Sequence, residues 1–395
     1  MFKGNIQGLK VLAAGTLLNL FLGTIYSWGI FVMPITEHLN WNADSVKLTA
    51  SFLIGFFTWG NIVAGRLIPK FGTTKVIVIG GFTMAFGSLL AAFTPAGFPH
   101  LIYLAYGILV GLGGGMGYVI AVVAAQKWFP NHRGIATGIC VGAFGLSVTV
   151  FAPVLSILLR EFSVRNVFLI LGTVFLLINL LLAHFMKFPE EKEAPPSSMD
   201  DKRQFTPKEM IRERAFCYII ISFFLATAGF FVVNPAVQTL SIYRGFDLAF
   251  ATRLLMITGI ANMAGRFLVP TISGRVSNEV IVAWLMAILA LSAGTLTFAT
   301  GPLFVVAVTL IPICFGAALS VFPLLAGDYF GLKNLAANYS IIGLGFSFSA
   351  LLSPGLIGLM GSYTAQFAAV SALSAVGLCI MSYLAYTKKR NMEKL

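Results

Sequence analysis

The chain has 395 residues, of which 58% are hydrophobic and only 10% are charged, and its mean hydropathy is +0.91. Soluble globular chains carry about a quarter charged residues, so this composition excludes an ordinary soluble protein. The formal net charge of +12 does not indicate a nucleic-acid-binding protein, because the basic residues stand singly between long apolar runs. Most of the surface is therefore expected to face lipid.

The sequence offers no residues for catalysis or for a cofactor. Its four cysteines are far apart, lie within apolar runs and show no metal-binding spacing. The HExxH, GxSxG and Walker A patterns of common hydrolases and ATPases are absent from the sequence. We therefore expect a protein that is not an enzyme and that needs no cofactor or metal.

Long apolar runs follow one another along the whole chain. A bilayer core requires about 20 apolar residues per helix, and on that rule the sequence predicts twelve transmembrane helices. Twenty of the 26 Lys and Arg fall on the side of the termini, five fall opposite, and Arg266 lies within a span. This bias predicts a multi-pass protein of the cell (inner) membrane with both termini cytoplasmic. The predicted spans are 10–35, 45–69, 75–94, 101–128, 134–159, 165–187, 216–242, 248–272, 279–299, 303–327, 335–360 and 364–386.

Two tyrosines stand out in the N-terminal spans. Tyr26 ends a polar helix face in the first span, and Tyr118 ends a similar face in the fourth. Either hydroxyl is able to donate to a carboxylate, although spacing alone fits a packing or interfacial role equally well. The other residues of these two faces are Thr16, Asn19, Gly23, Gly111 and Gly115.

A polar segment separates two halves of six spans each. Residues 188–215 contain 13 of the 40 charged residues and predict a solvated cytoplasmic linker between an N-terminal bundle, 1–187, and a C-terminal bundle, 216–395. Within it Thr206, Pro207 and Glu209 match a capping box, which predicts a short amphipathic helix through Arg214. The halves resemble each other weakly at an offset of about 201 to 205 residues. Such repeats are typical of transporters that rock about a midplane site.

Arg266 is the residue on which the functional prediction depends. A charged side chain at the bilayer centre costs about 2.5–3.5 kcal/mol and needs a partner or a water-filled cavity. Arg266 precedes Arg275 by nine residues, which places it about 13 Å inward along a helix. Snorkelling to the interface is the alternative. Because a guanidinium binds a carboxylate bidentately, we predict an anionic substrate. Asn262, one turn earlier, either orients the guanidinium, bonds a substrate hydroxyl or packs helices.

These features together resemble the major facilitator superfamily, and in particular its oxalate/formate antiporter and monocarboxylate transporter branch. The resemblance implies two pseudo-symmetric six-helix bundles and substrate-facing tyrosines at Tyr26 and Tyr118. It extends over the whole chain. The residues that carry it are Tyr26-Ser27-Trp28 with Pro34, Lys127-Trp128-Phe129-Pro130 followed by Arg133 to Gly138, Arg266, Asp328-Tyr329-Phe330-Gly331 and Asn338-Tyr339.

Three positions depart from this resemblance. Pro69 stands where the superfamily has an acidic residue of its salt-bridge gate. Oxalate exchangers have a second buried cation where this chain has Phe346, and many monocarboxylate carriers have Asp where it has Asn262. An apolar wall at Phe346 would leave the second charge of a dianion desolvated. We therefore predict a short monocarboxylate such as lactate or pyruvate as substrate.

The resulting hypothesis is a secondary carrier that works by alternating access. Arg266, Asn262, Tyr26, Tyr118 and Phe346 are its predicted substrate-binding residues. Asp328 and Lys127 are assigned to coupling or gating, with a proton as the coupling ion, and the carrier is expected to act as a monomer. Proton-independent exchange of the oxalate/formate type is the alternative. A receptor that does not transport is the alternative from another class.

Overall fold

A computed structural model of the chain describes residues 6–189 and 203–392. Residues 190–202 of the predicted linker therefore lie outside the described residues. So do four basic residues of the charge tally and two linker prolines, namely Lys3, Lys192, Lys202, Lys394, Pro195 and Pro196.

Helices make up nearly all of the regular structure. The first half consists of α1 (Ile6–Leu22), α2 (Trp28–Leu39), α3 (Ala43–Ala92), α4 (Gly111–Trp128), α5 (Arg133–Glu161) and α6 (Val164–Ala183). The second half consists of α7 (Pro207–Met210), α8 (Arg214–Val233), α9 (Val237–Tyr243), α10 (Leu248–Leu268), α11 (Asn278–Leu296), α12 (Gly301–Phe330), α13 (Leu335–Ile342), α14 (Leu344–Gly358) and α15 (Tyr363–Met392).

Helix α3 contains both the second and the third predicted span. The described residues hold eleven helical stretches that are long and apolar enough to cross a membrane, and one of them, Ser45–Ala92, has 48 residues. That is more than twice the length that a bilayer requires. Gly72 breaks it with φ 76° and ψ 169°, a backbone conformation that strongly favours glycine. The eleven stretches thus contain the twelve predicted spans.

Several predicted spans are interrupted helices. The first passes through a 3-10 turn at Gly23–Ser27 between α1 and α2, and the fourth begins as a π-helix at Tyr103–Val110. The seventh has a 3-10 turn at Asn234–Ala236, and the eleventh is divided into α13 and α14. Irregular backbone within membrane-spanning helices is typical of transporters.

The chain forms two compact units. Among the described residues, unit 1 comprises 6–189 with 334–341, and unit 2 comprises 203–333 with 342–392. Most of α13 thus belongs to unit 1, although α12 and α14 on either side belong to unit 2. Within unit 1, the buried hydroxyl of Ser340 in α13 donates to the carbonyl oxygen of Asn61 in α3 at 2.8 Å.

The end of the linker is bound to unit 2. The capping box is confirmed: Glu209 N donates to Thr206 Oγ1, and Thr206 N donates to Glu209 Oε2 at 2.8 Å. The helix ends at Met210 rather than Arg214, because Arg214 already begins α8. Just before α7, Phe205 N donates to the carbonyl oxygen of Phe330 at 3.1 Å.

Large apolar side chains cover the outside of both units. Trp59 and Phe82 in unit 1 are at least half exposed, and so are Leu291 and Phe298 in unit 2. Soluble monomers rarely expose large contiguous apolar patches. This surface and the apolar helices establish an all-α, multi-pass membrane protein.

Candidate functional site

Arg266 lies inside unit 2, in the last turn of α10. Its side chain is only 1% exposed, and its Nε donates to Asn262 Oδ1 at 3.1 Å. The hydrogen bond joins residues four apart on one helix face, as the spacing predicts. An arginine that snorkels to the interface exposes its charged end, so the snorkelling alternative does not fit this burial.

Two glycines bring α10 and α12 into close contact around Arg266. A Cβ atom on Gly265 would lie 2.1 Å from the Ile313 carbonyl oxygen, and one on Gly316 would lie 2.0 Å from the Asn262 carbonyl oxygen. Neither position accepts a side chain without a shift of the backbone. One turn after Gly316, the buried Ser320 hydroxyl donates to the Arg266 carbonyl oxygen at 2.9 Å.

The partner of Nε determines what the guanidinium is able to bind. A carboxamide satisfies the Nε–H group without cancelling the positive charge of Arg266. A guanidinium offers a carboxylate either an edge that includes Nε or the edge formed by its two terminal nitrogens. Because Asn262 accepts from Nε, the edge that includes Nε is already engaged within the protein.

Phe346 lies in an aromatic cluster of unit 2. Its ring centroid is 6.0 Å from that of Phe223, 5.6 Å from Phe231 and 6.2 Å from Phe315. Phe315 immediately precedes Gly316 on α12, so the cluster borders the helix that contacts Arg266. The surroundings of Phe346 are therefore aromatic and lie in the same unit as Arg266, and its role as a wall of the substrate site stays a prediction.

The two predicted tyrosines meet at one phenylalanine in unit 1. The centroid of Phe144 in α5 is 5.3 Å from that of Tyr26 and 5.1 Å from that of Tyr118. Asn19 of the first polar face joins α1 to α5, because its Nδ2 donates to the Cys140 carbonyl oxygen at 3.0 Å. Spacing predicted the polar face of the first span, but it did not identify Phe144 as the residue that both rings contact.

The two residues assigned to coupling or gating have separate surroundings. Lys127 in unit 1 places its Nζ 4.5 Å from the centroid of the Phe188 ring. Asp328 in unit 2 accepts a hydrogen bond from Asn278 Nδ2, 2.6 Å from its Oδ2. Both assignments remain predictions. Within 6–189 and 203–392, no group of three or more His, Cys, Asp and Glu is arranged to hold a metal ion.

The sequence did not predict a partly buried ion pair in unit 2. Glu279 in the first turn of α11 is 0% exposed and is paired with Lys388 Nζ of α15. The Lys388 ammonium also lies over the ring of Tyr329. In the sequence, Glu279 indicates only the start of a span, and Lys388 is only a positive charge after the last span. The two residues are 109 positions apart, so spacing carries no signal of the pair.

Comparison with known proteins agrees with this architecture. The chain is 28% identical over 387 residues to monocarboxylate transporter 13 of Bos taurus, covering 93% of this chain and 87% of the relative. It is 25% identical over 366 residues to the oxalate:formate antiporter of Oxalobacter formigenes, covering 90% and 84%. The structure of the proton:xylose symporter XylE superposes with a TM-score of 0.73 at 15% identity, covering 95% of each chain.

The match to the family extends over most of the chain. Residues 12–325 match the Major Facilitator Superfamily, and the similarity to solved structures confirms the corresponding fold. The relatives named above are transporters. The chain therefore belongs to the Major Facilitator Superfamily of membrane transporters.

Proposed function

We propose that this protein transports small monocarboxylate anions by alternating access and that Arg266 binds the substrate carboxylate. The observation that supports this most directly is a guanidinium, 1% exposed, whose Nε is bonded to a neutral carboxamide. Burying a charge costs free energy unless the charge is paired. A buried charge within a membrane span therefore marks a candidate functional residue. A planar fork with its charge intact suits a carboxylate better than it suits a neutral substrate.

The aromatic residues of unit 2 support a substrate with a single charge. Phe346 and its neighbours Phe223, Phe231 and Phe315 carry no group that would stabilise a second carboxylate. A dianion in such surroundings would keep one charge desolvated, at a cost of several kcal/mol. Lactate and pyruvate combine one carboxylate with a short tail, and they are the substrates that we propose.

A proton is the proposed coupling ion. In unit 2 the titratable candidate is Asp328, which is partly buried and bonded to Asn278. The substrate carboxylate is itself a second possible carrier of the proton. For the membrane, we propose the inner membrane of a cell with both chain termini on the cytoplasmic side, on the basis of the Lys and Arg bias.

Proton-independent exchange of organic anions is the second candidate. The neutral side chain of Asn262 beside Arg266 favours it, because binding by this pair then involves no titratable protein group. The similarity to an oxalate:formate antiporter favours it as well. An imposed pH gradient separates the two candidates: a symporter responds to it, whereas a strict exchanger responds only to substrate on the opposite side.

The proposed function is tested by counterflow in proteoliposomes. Formate, acetate, lactate, pyruvate, oxalate and malate are offered in turn, with and without a proton gradient. We expect lactate or pyruvate to be transported best. Removing one partner of a buried, hydrogen-bonded charge pair costs about 2–5 kcal/mol, so uptake should fall at least about 30-fold in Arg266→Gln.

A matched variant separates loss of the anchor from loss of the fold. Arg253 lies on the same helix, three turns and more before Arg266, and Arg253→Gln should transport at the wild-type rate. Both variants should elute as the wild type does in detergent. Unchanged uptake in Arg266→Gln, or a wild-type protein that moves none of the six anions, would contradict the proposal.

A further inference from the structure

Helix α12 contributes two residues to the surroundings of Arg266 that the sequence did not suggest. Gly316 and Ser320 are one turn apart, and they face Asn262 and Arg266, which are one turn apart on α10. Rows of residues four apart pack together when two helices cross closely. The contact is therefore regular along two turns of both helices, with Arg266 at one end of it.

Gly316 leaves the room that the carboxamide of Asn262 occupies. A Cβ atom at position 316 would lie 2.0 Å from the Asn262 carbonyl oxygen and 2.7 Å from its Oδ1 atom. Real Cβ atoms do not approach oxygen that closely, since such contacts overlap the van der Waals radii. The same Oδ1 accepts the hydrogen bond from Arg266 Nε at 3.1 Å. Any side chain at position 316 would thus displace the acceptor that orients the guanidinium.

Ser320 fixes the backbone at Arg266. Its side chain is 0% exposed, and its hydroxyl donates to the Arg266 carbonyl oxygen at 2.9 Å. In a helix such a carbonyl accepts from the backbone N–H four residues later, but here that residue is Pro270, which has no N–H group. The added bond ties the turn that carries Arg266 to α12.

We infer that Gly316 and Ser320 are positioning residues for substrate binding. Gly316 leaves the space that the Asn262 carboxamide occupies, and Ser320 binds the Arg266 backbone, so that the guanidinium that binds the substrate carboxylate keeps one orientation. The inference rests on the proposed function of Arg266 as the anchor. It adds that the orientation of this anchor is set by α12.

Transport kinetics of Gly316→Ala give the first test. With lactate or pyruvate as substrate, KM should rise about tenfold while the maximal rate changes less than twofold. Gly60→Ala is the matched control, because a Cβ there would lie 2.1 Å from the Leu112 carbonyl oxygen in unit 1. It introduces a comparable overlap far along the chain from Arg266, and its KM should stay at the wild-type value. An unchanged KM in Gly316→Ala would overturn the inference.

A double-variant cycle tests whether Gly316 acts through Asn262. Asn262→Ala removes the carboxamide, so adding Gly316→Ala should raise KM by less than twofold beyond the single Asn262→Ala variant. If the KM increases of the two single variants multiplied in the double variant, Gly316 would act independently of Asn262. Ser320→Ala introduces no overlap and should fold even where Gly316→Ala does not. It should raise KM about threefold, and an unchanged KM there counts against the inference.

The 15N NMR signal of Arg266 Nε provides a readout that needs no substrate. The signal is assigned by its disappearance in Arg266→Lys. In Gly316→Ala and Ser320→Ala it should move toward its position in Asn262→Ala, whereas in Gly60→Ala it should not move. If the wild type transports none of the six anions, the proposed function fails. This signal still tests whether Gly316 and Ser320 position the Arg266 guanidinium. A signal that stays at the wild-type position in both α12 variants would overturn the inference.

Discussion

Arg266 and Glu279 are both enclosed in unit 2, at 1% and 0% exposure, but they are bound by different kinds of partner. Glu279 at the start of α11 is paired with the ammonium of Lys388 on α15. The Nε of Arg266 on α10 is bonded to the neutral carboxamide of Asn262. One bond joins opposite charges, and the other joins a charge to a neutral amide.

The difference indicates different roles for the two regions. A carboxylate that is paired with an ammonium in the folded protein holds helices together. Removing one partner leaves the other charge buried without compensation, which destabilises the fold. A guanidinium oriented by an amide retains its attraction for an anion. We therefore expect substitutions at the α11–α15 pair to act on stability and substitutions beside Arg266 to act on transport.

The largest expected effect is on the stability of the α11–α15 pair. Lys388→Met leaves Glu279 buried without its cation and should lower the free energy of unfolding by about 3 kcal/mol, the lower end of the range for a broken buried pair, because Lys388 is 32% exposed. Thermal unfolding in detergent measures it. The double variant Glu279→Met/Lys388→Met should recover most of the loss. A double variant as unstable as the single one would show that the pair is not the cause.

A smaller effect should follow from making the Arg266 region resemble the Glu279 region. Asn262→Asp places a carboxylate next to the guanidinium, where it competes with the substrate. At neutral pH we expect KM for lactate or pyruvate to rise about tenfold, equivalent to about 1.4 kcal/mol. As the pH falls through the pKa of the new carboxyl group, it becomes neutral and KM should return toward the wild-type value.

The neutral variant Asn262→Ser is the matched control for this prediction. It also loses the carboxamide but adds no charge, so the pH dependence of its uptake should follow that of the wild type. The comparison of Arg266 with Glu279 would be wrong if Asn262→Asp transported as well as Asn262→Ser at neutral pH.

The smallest expected effect concerns unit 1. Tyr26→Phe and Tyr118→Phe keep the rings around Phe144 and remove only the hydroxyls. If a hydroxyl donates to the substrate, its loss should raise KM about fivefold, the value of one hydrogen bond of about 1 kcal/mol. Tyr106→Phe is the control, since the Tyr106 ring packs on Trp28 instead. Wild-type KM values in both tyrosine variants would leave packing as their role.

The sequence predicted those features that depend on local composition and spacing. Apolar runs located the spans, because the length of a membrane helix is set by the bilayer. The burial of Arg266 followed from its distance to Arg275, and its bond to Asn262 followed from the helical repeat. The capping box at Thr206 was likewise local, although the helix proved shorter than predicted.

What the sequence did not predict depends on contacts between distant helices. The pairing of Glu279 with Lys388 and the approach of Gly316 to Asn262 join residues that are far apart along the chain. In a protein with 40 glycines, a single glycine carries no signal of its neighbour.

The position of α13 affects any attempt to divide the protein into halves. Most of this helix belongs to unit 1 and is bonded to α3, yet it is encoded in the second half of the sequence. A cut in the linker would therefore produce two polypeptides of which neither is self-contained, since the first would lack a helix and the second would carry one without its binding surface. Co-production of the two fragments should restore the folded protein, which neither fragment should form when it is produced alone.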